Sequence, residues 1–113
     1  MSGITTHVLD TSQGRPASGV PILLEAREEG GWREIGRALT DADGRARQLL
    51  PAGSALTMGT YRLTFGIETY FGTQGTETFY PEASIVFHVR DASQHHHVPL
   101  LLSPFGYSTY RGS

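Results

Sequence analysis

Cysteine is absent from this chain of 113 residues, which excludes a disulfide framework, a thiolate nucleophile and any metal site built on thiolate. Lysine is absent as well. All nine basic residues are arginine, so Schiff-base catalysis is excluded. The arginines are scattered and the net charge is −2, which leaves no electrostatic footprint for nucleic acid. No apolar run approaches transmembrane length, and the first residues lack the charged and apolar regions of a signal peptide. The expectation is a soluble cytoplasmic protein without contact to a membrane. No G-x-S-x-G elbow, G-x-G-x-x-G turn or phosphate loop occurs, so an activated serine and nucleotide cofactors have no motif to support them.

What the chain does have is turn residues and short alternating runs. With 14 Gly, 6 Pro and many Thr and Ser, it reads as a single domain over residues 1–113 made of several short strands. Ile4–Asp10 alternates, with Ile4, Thr6 and Val8 on one face and Thr5, His7 and Leu9 on the other. Further strands are expected at Val20–Glu28, Trp32–Thr40, Arg45–Leu49, Thr60–Glu68, Ala83–Arg90, His95–Leu102 and Gly106–Ser113. A short helix is expected at Thr69–Gln74, with Thr69 as a possible cap. In the third strand Trp32, Glu34, Gly36 and Ala38 oppose Arg33, Ile35, Arg37 and Leu39. Tyr61, Leu63, Phe65 and Ile67 share one face, and Ile85, Phe87 and Val89 point inward. About eight strands and one helical turn describe an all-β sandwich of two four-stranded sheets.

Strand parity then sorts the histidines. His96, Val98, Leu100 and Leu102 form the better core face of their strand, which sets His95 and His97 outside it, as Ile4, Thr6 and Val8 set His7 outside theirs. A face carrying His97 and Leu101 is neither plainly buried nor plainly solvated, and suits a subunit interface or a binding channel. The plain alternative for His7 is a surface histidine on an edge strand. His95 and His97 can also be read as a metal chelate with His7 or a carboxylate as third ligand, although H-x-H spacing alone is a weak signal. Asp41-Ala42-Asp43-Gly44 lacks the ligands of a calcium loop and reads as a turn. Arg45 follows it, with Arg47 two residues on. Both are either solvated or placed to hold a polarised carbonyl or an anionic heterocycle. Histidine, arginine and a polar C-terminus together suit hydrolysis by activated water.

Three separated segments resemble one family. They are His7-Val8-Leu9-Asp10, the turn Thr40-Asp41-x-Asp43-Gly44-Arg45, and His97-Val98-Pro99-Leu100-Leu101-Leu102-Ser103-Pro104 with the closing Tyr107-Ser108-Thr109-Tyr110-Arg111-Gly112-Ser113. These segments are similar to the 5-hydroxyisourate hydrolases, the transthyretin-related proteins of urate degradation. The final Tyr-Arg-Gly-Ser separates those hydrolases from transthyretin, the hormone carrier of the same fold. The resemblance implies a transthyretin-like β-sandwich assembled as a homotetramer, with pockets at the dimer–dimer interface and no metal or organic cofactor. It implies a small-molecule substrate, 5-hydroxyisourate, opened to 2-oxo-4-hydroxy-4-carboxy-5-ureidoimidazoline. His7 or His97 would activate water, with His7 the favoured base, and Arg45 would stabilise the oxyanion. Ser113, through its hydroxyl or carboxylate, would orient a histidine or bind substrate, and Tyr110 and Arg111 would shape that corner. Between His95 and His97 the family commonly has Tyr or Trp, whereas this chain has His96, from which altered packing is expected. The other readings are a transthyretin-like protein that binds a small aromatic ligand without turnover, and a His-rich metal-binding domain.

Overall fold

A computed structural model describes residues 3–113. The elements run β1 (Gly3–Asp10), β2 (Arg15–Pro16), β3 (Pro21–Glu28), β4 (Gly31–Leu39), β5 (Arg45–Ala46), β6 (Gly59–Gly66), α1 (Ile67–Gly72), β7 (Glu82–Val89), β8 (His95–Ser103) and β9 (Gly106–Thr109). One sheet has the order β2-β1-β8-β9 with β5 added on β1, and the other has the order β4-β3-β6-β7.

The two sheets bury one core between them. Ile4, Val8, Val98, Leu100 and Leu102 come from the first sheet, and Ile22, Leu24, Tyr61, Leu63, Phe65, Ala83 and Val89 from the second. Each fully buried aliphatic or aromatic side chain contributes about 1.5–3 kcal/mol of transfer free energy. Alternation therefore sets the register, because a one-residue slip would turn these side chains out to water.

Several expected boundaries shift, each for a local reason. The first sheet gains β2 from what reads as a loop and so has five strands rather than four. β5 stops at Ala46 instead of Leu49. Beyond it the chain crosses to the other sheet, where the Leu49 carbonyl lies so close over Gly36 of β4 that no Cβ fits there, and Leu49 is buried. In β4 strict alternation fails at Ile35. A bulge breaks the pairing between Leu24–Gly36 and Glu25–Glu34, so Ile35 and Ala38 both pack on the core. The helix begins at Ile67, after Gly66, and not at Thr69, which caps nothing. Ile67, Tyr70 and Phe71 enter the core, so burial overrides the expected strand continuation.

β9 ends at Thr109 rather than Ser113. Its pairing with β8 would next place Tyr110 against Pro99, which has no N–H to give, and the ladder resumes only at the His97–Gly112 bridge. That interruption shapes the end of the chain beside the histidines.

Candidate active site

The site is built by the parallel pairing of β1 with β8. The register aligns Ile4, Thr6, Val8 and Asp10 with His96, Val98, Leu100 and Leu102, all buried. It necessarily aligns the outward residues too, Thr5 with His97 and His7 with Pro99. On the other side of β1, β5 pairs His7 with Arg45 and Thr6 with Ala46. His7, Arg45, Thr5 and His97 are thereby gathered on the outer face of one sheet from three strands.

The turn before β5 holds Arg45 in place. Asp41 Oδ1 accepts the backbone N–H groups of Asp43 and Arg45, at 2.9 and 3.0 Å. These bonds, that from Arg45 foremost, hold the Asp41 carboxyl below its ordinary range. Gly44, at φ 75°, sits against the Val8 carbonyl and within 3.1–3.2 Å of Pro16 and Ala17 where a Cβ would go, so a side chain here would push β5 off β1.

Thr5, Thr6, Arg45, Arg47, His95, His97 and Ser113 line an open cleft of about 270 Å³. Within it Thr5 Oγ1 lies 2.8 Å from His95 Nε2 and 2.8 Å from His97 Nδ1. His97 Nε2 makes no hydrogen bond among the described residues. Burial first, then the positive charge of Arg45 and the neighbouring His7 and His95, lowers the His97 pKa, so its ring stays neutral to lower pH than an ordinary imidazole. A neutral imidazole beside guanidinium groups can accept a proton from water while the arginines hold a developing anion.

Of the residues singled out in the sequence, Arg45, His97 and Ser113 meet in this cleft. His7 stands beside it as the strand partner of Arg45. Tyr110 and Arg111 go elsewhere. With Ile85, Phe87, His96 and the other side of His97 they border a smaller, mostly apolar cavity of about 130 Å³. Arg111 donates to Gln94 Oε1 and to the His95 carbonyl, tying down the closing segment rather than entering the cleft. Arg47, two residues beyond Arg45, also lines the cleft. His96 is buried at 4% exposure, as its core-face position requires, and its Nδ1 has no partner among the described residues.

Two contributors went unrecognised in the sequence. Thr5 was legible only as an outward residue of β1, since its position opposite His97 depends on the pairing of distant strands. Gly112 packs against the His97 ring, where a Cβ would lie 2.6 Å from Cδ2 and 3.1 Å from Pro99 Cγ. As for metal chelation, no three His, Cys, Asp or Glu side chains converge as ligands among the described residues. His95 Nε2 and His97 Nδ1 are each engaged by the Thr5 hydroxyl.

Comparison with known proteins follows the same lines. The profile of the HIUase/Transthyretin family matches residues 4–112. A 5-hydroxyisourate hydrolase of Caulobacter vibrioides is 47% identical over 117 residues, covering all of both chains. One of Mus musculus is 46% identical over 114 residues, 99% of this chain and 96% of its own. Among solved structures, 5-hydroxyisourate hydrolase of Klebsiella pneumoniae superposes with a TM-score of 0.85 at 38% identity, covering 99% of this chain and 100% of its own. Sea bream transthyretin in complex with thyroxine superposes with a TM-score of 0.88 at 32% identity, covering 96% and 93%.

Proposed function

The chain belongs to the HIUase/Transthyretin family, and we propose from that premise that it is a hydrolase opening the six-membered ring of 5-hydroxyisourate. Backbone similarity does not separate hydrolase from carrier, since both kinds of structure superpose almost equally well. The observation that carries the reading is the cleft itself, where the His97 imidazole, oriented by Thr5 and with its pKa lowered, shares the lining with Arg45 and Ser113.

The bond to be broken is an imide-type amide, more electrophilic than a peptide. Water attacks the carbonyl carbon, and its proton passes to an imidazole. The C–N bond then breaks and the imidazole returns the proton to the leaving nitrogen, leaving a ring-opened ureido product whose new carboxylic acid loses its proton to solvent. Sequence alone favours His7 as the base. The fixed ring, the unpartnered Nε2 and the lowered pKa of His97 support assigning the proton transfer to His97 instead, with His7 beside Arg45 binding substrate or water. Arg45 stabilises the oxyanion, an effect worth about 3 kcal/mol for a well-placed donor. Ser113 binds substrate from the chain end, and Tyr110 and Arg111 act by holding the segment that delivers it.

The cleft is open on one side, and half-exposed Leu9 and Leu101 lie on the same sheet face. This supports a homotetramer whose pockets are closed between dimers. Cytoplasmic location belongs to the same reading. No helix among the described residues is long and apolar enough to cross a membrane.

Stoichiometry separates turnover from carriage. With freshly generated 5-hydroxyisourate in large excess over protein, a hydrolase consumes all of it at an accelerated rate. A carrier would withdraw one equivalent per site and leave the remainder to decay spontaneously, which would refute the proposal.

A further inference from the structure

Thr5 is one of two adjacent threonines on β1, and their hydroxyls have different tasks. Thr6 faces the core, where its Oγ1 donates to the Val98 carbonyl, an ordinary repair of a buried polar group. The Thr5 hydroxyl faces the cleft and bonds two imidazoles, His95 through Nε2 and His97 through Nδ1, each at 2.8 Å. Both lie on the strand whose outward positions Thr5 meets in register.

A hydroxyl has one proton, so between two neutral imidazoles it donates to one and accepts from the other. Two arrangements satisfy these distances. In one, Thr5 donates to His97 Nδ1, the His97 proton sits on Nε2, and the ring offers the cleft only a donor. In the other, His97 Nδ1–H donates to Thr5, Thr5 O–H donates to His95 Nε2, and His97 Nε2 is a bare acceptor. His95 is exposed, so its remaining N–H can be met by water. The second arrangement is the one compatible with proton transfer at His97, because the hydrogen bond at one ring nitrogen decides what the other can do.

We propose that Thr5 is a positioning residue for the hydrolysis: by accepting from His97 Nδ1–H and donating to His95 Nε2, it selects the His97 tautomer that presents a bare Nε2 to the cleft. The inference rests on the hydrolase reading for its kinetic consequence but not for its structural one. His95 is then the sink for the Thr5 proton, which gives the outermost histidine a function without contact to substrate.

The test replaces Thr5 by Val, which keeps the β-branched shape and removes the hydroxyl, and by Ser, which restores it. Nitrogen-15 NMR of histidine-labelled protein reads the tautomer directly. Wild-type and Thr5→Ser protein should carry the His97 proton on Nδ1, and Thr5→Val should shift it toward Nε2. In kinetics Thr5→Val should lose at least about tenfold in kcat with KM changed by less than about threefold, and Thr5→Ser should recover to within about threefold of wild type. An unchanged His97 tautomer in Thr5→Val would overturn the proposal, whatever the kinetics. A full loss in Thr5→Ser would do so too, since a hydroxyl would then not suffice. If wild-type protein fails to hydrolyse the substrate, the functional reading falls, and the NMR comparison still decides the role of Thr5.

Discussion

Gly112 donates its backbone N–H to the His97 carbonyl at 2.9 Å, and its α-carbon lies so near the same residue's ring that an added Cβ would stand 2.6 Å from Cδ2. The end of the chain and the His97 imidazole are thus in contact twice, through backbone and through packing. Substituting Gly112→Ala must displace the ring or the segment that carries Ser113. Because small misplacements of reacting groups cost one to two orders of magnitude, kcat/KM should fall by about 10- to 100-fold while the thermal midpoint moves little. Wild-type kinetics in Gly112→Ala would show that this contact does not position the site.

Arg45 is held by the Asp41 turn and paired with His7, and its charge is, after burial, the leading cause of the lowered His97 pKa. Replacing Arg45→Gln removes the proposed oxyanion donor and should cost about 100-fold in kcat. It should also move the His97 titration upward, toward the ordinary value. NMR titration of the histidine ring checks this without any turnover, and an unmoved midpoint would contradict the electrostatic coupling.

The direction of the His97 shift also fixes a pH dependence. The ordinary imidazole value is 6.5, and burial, Arg45, His7 and His95 place His97 below it. With His97 as the proposed base, the acid limb of the kcat/KM profile should therefore fall below 6.5. The same group makes the fold less stable as pH falls from the unfolded value through the folded one, because the unfolded chain takes up the proton first. An acid limb at or above the ordinary value would remove His97 as the base.

Much of the fold was legible because burial follows parity. Ile4, Thr6 and Val8, and again His96, Val98, Leu100 and Leu102, are buried as their alternation requires. What escaped depends on long-range geometry. The bulge at Ile35, the early end of β5 and the entry of Ile67 into α1 answer to packing against other elements. The site divides in the same way. Residue type and parity mark His97 and Arg45, but Thr5 acquires its place only from the parallel register of β1 and β8, strands separated by most of the chain. Tyr110 and Arg111 stand off the cleft because Pro99 interrupts the ladder opposite Tyr110, and both border a cavity on another side of His97.

Asp10 closes β1 and anchors α1. Its buried carboxylate accepts from Ser12 N and Oγ, Gln13 N and Nε2, and Tyr70 Oη. Burial alone would raise its pKa, but the bonds from Ser12, Tyr70 and Gln13 outweigh it and hold it below 3.8. This contribution is present above the unfolded value and is lost as pH falls through the folded one. Asp10→Ala should cost about 3 kcal/mol in chemical denaturation at neutral pH, since it strands several donors. An unchanged denaturation midpoint would show that this network does not hold α1 to the sheet.

The central claim, that His97 in this cleft drives ring opening, is met most directly by one comparison. Urate is oxidised to 5-hydroxyisourate in the cuvette, and its ultraviolet decay is followed with wild-type protein and with folded His97→Asn at equal concentration. The expected result is decay far faster than the spontaneous rate with wild type, and a loss of about 100-fold or more in the variant. Decay at the spontaneous rate with wild type, or undiminished catalysis by His97→Asn, would contradict the account.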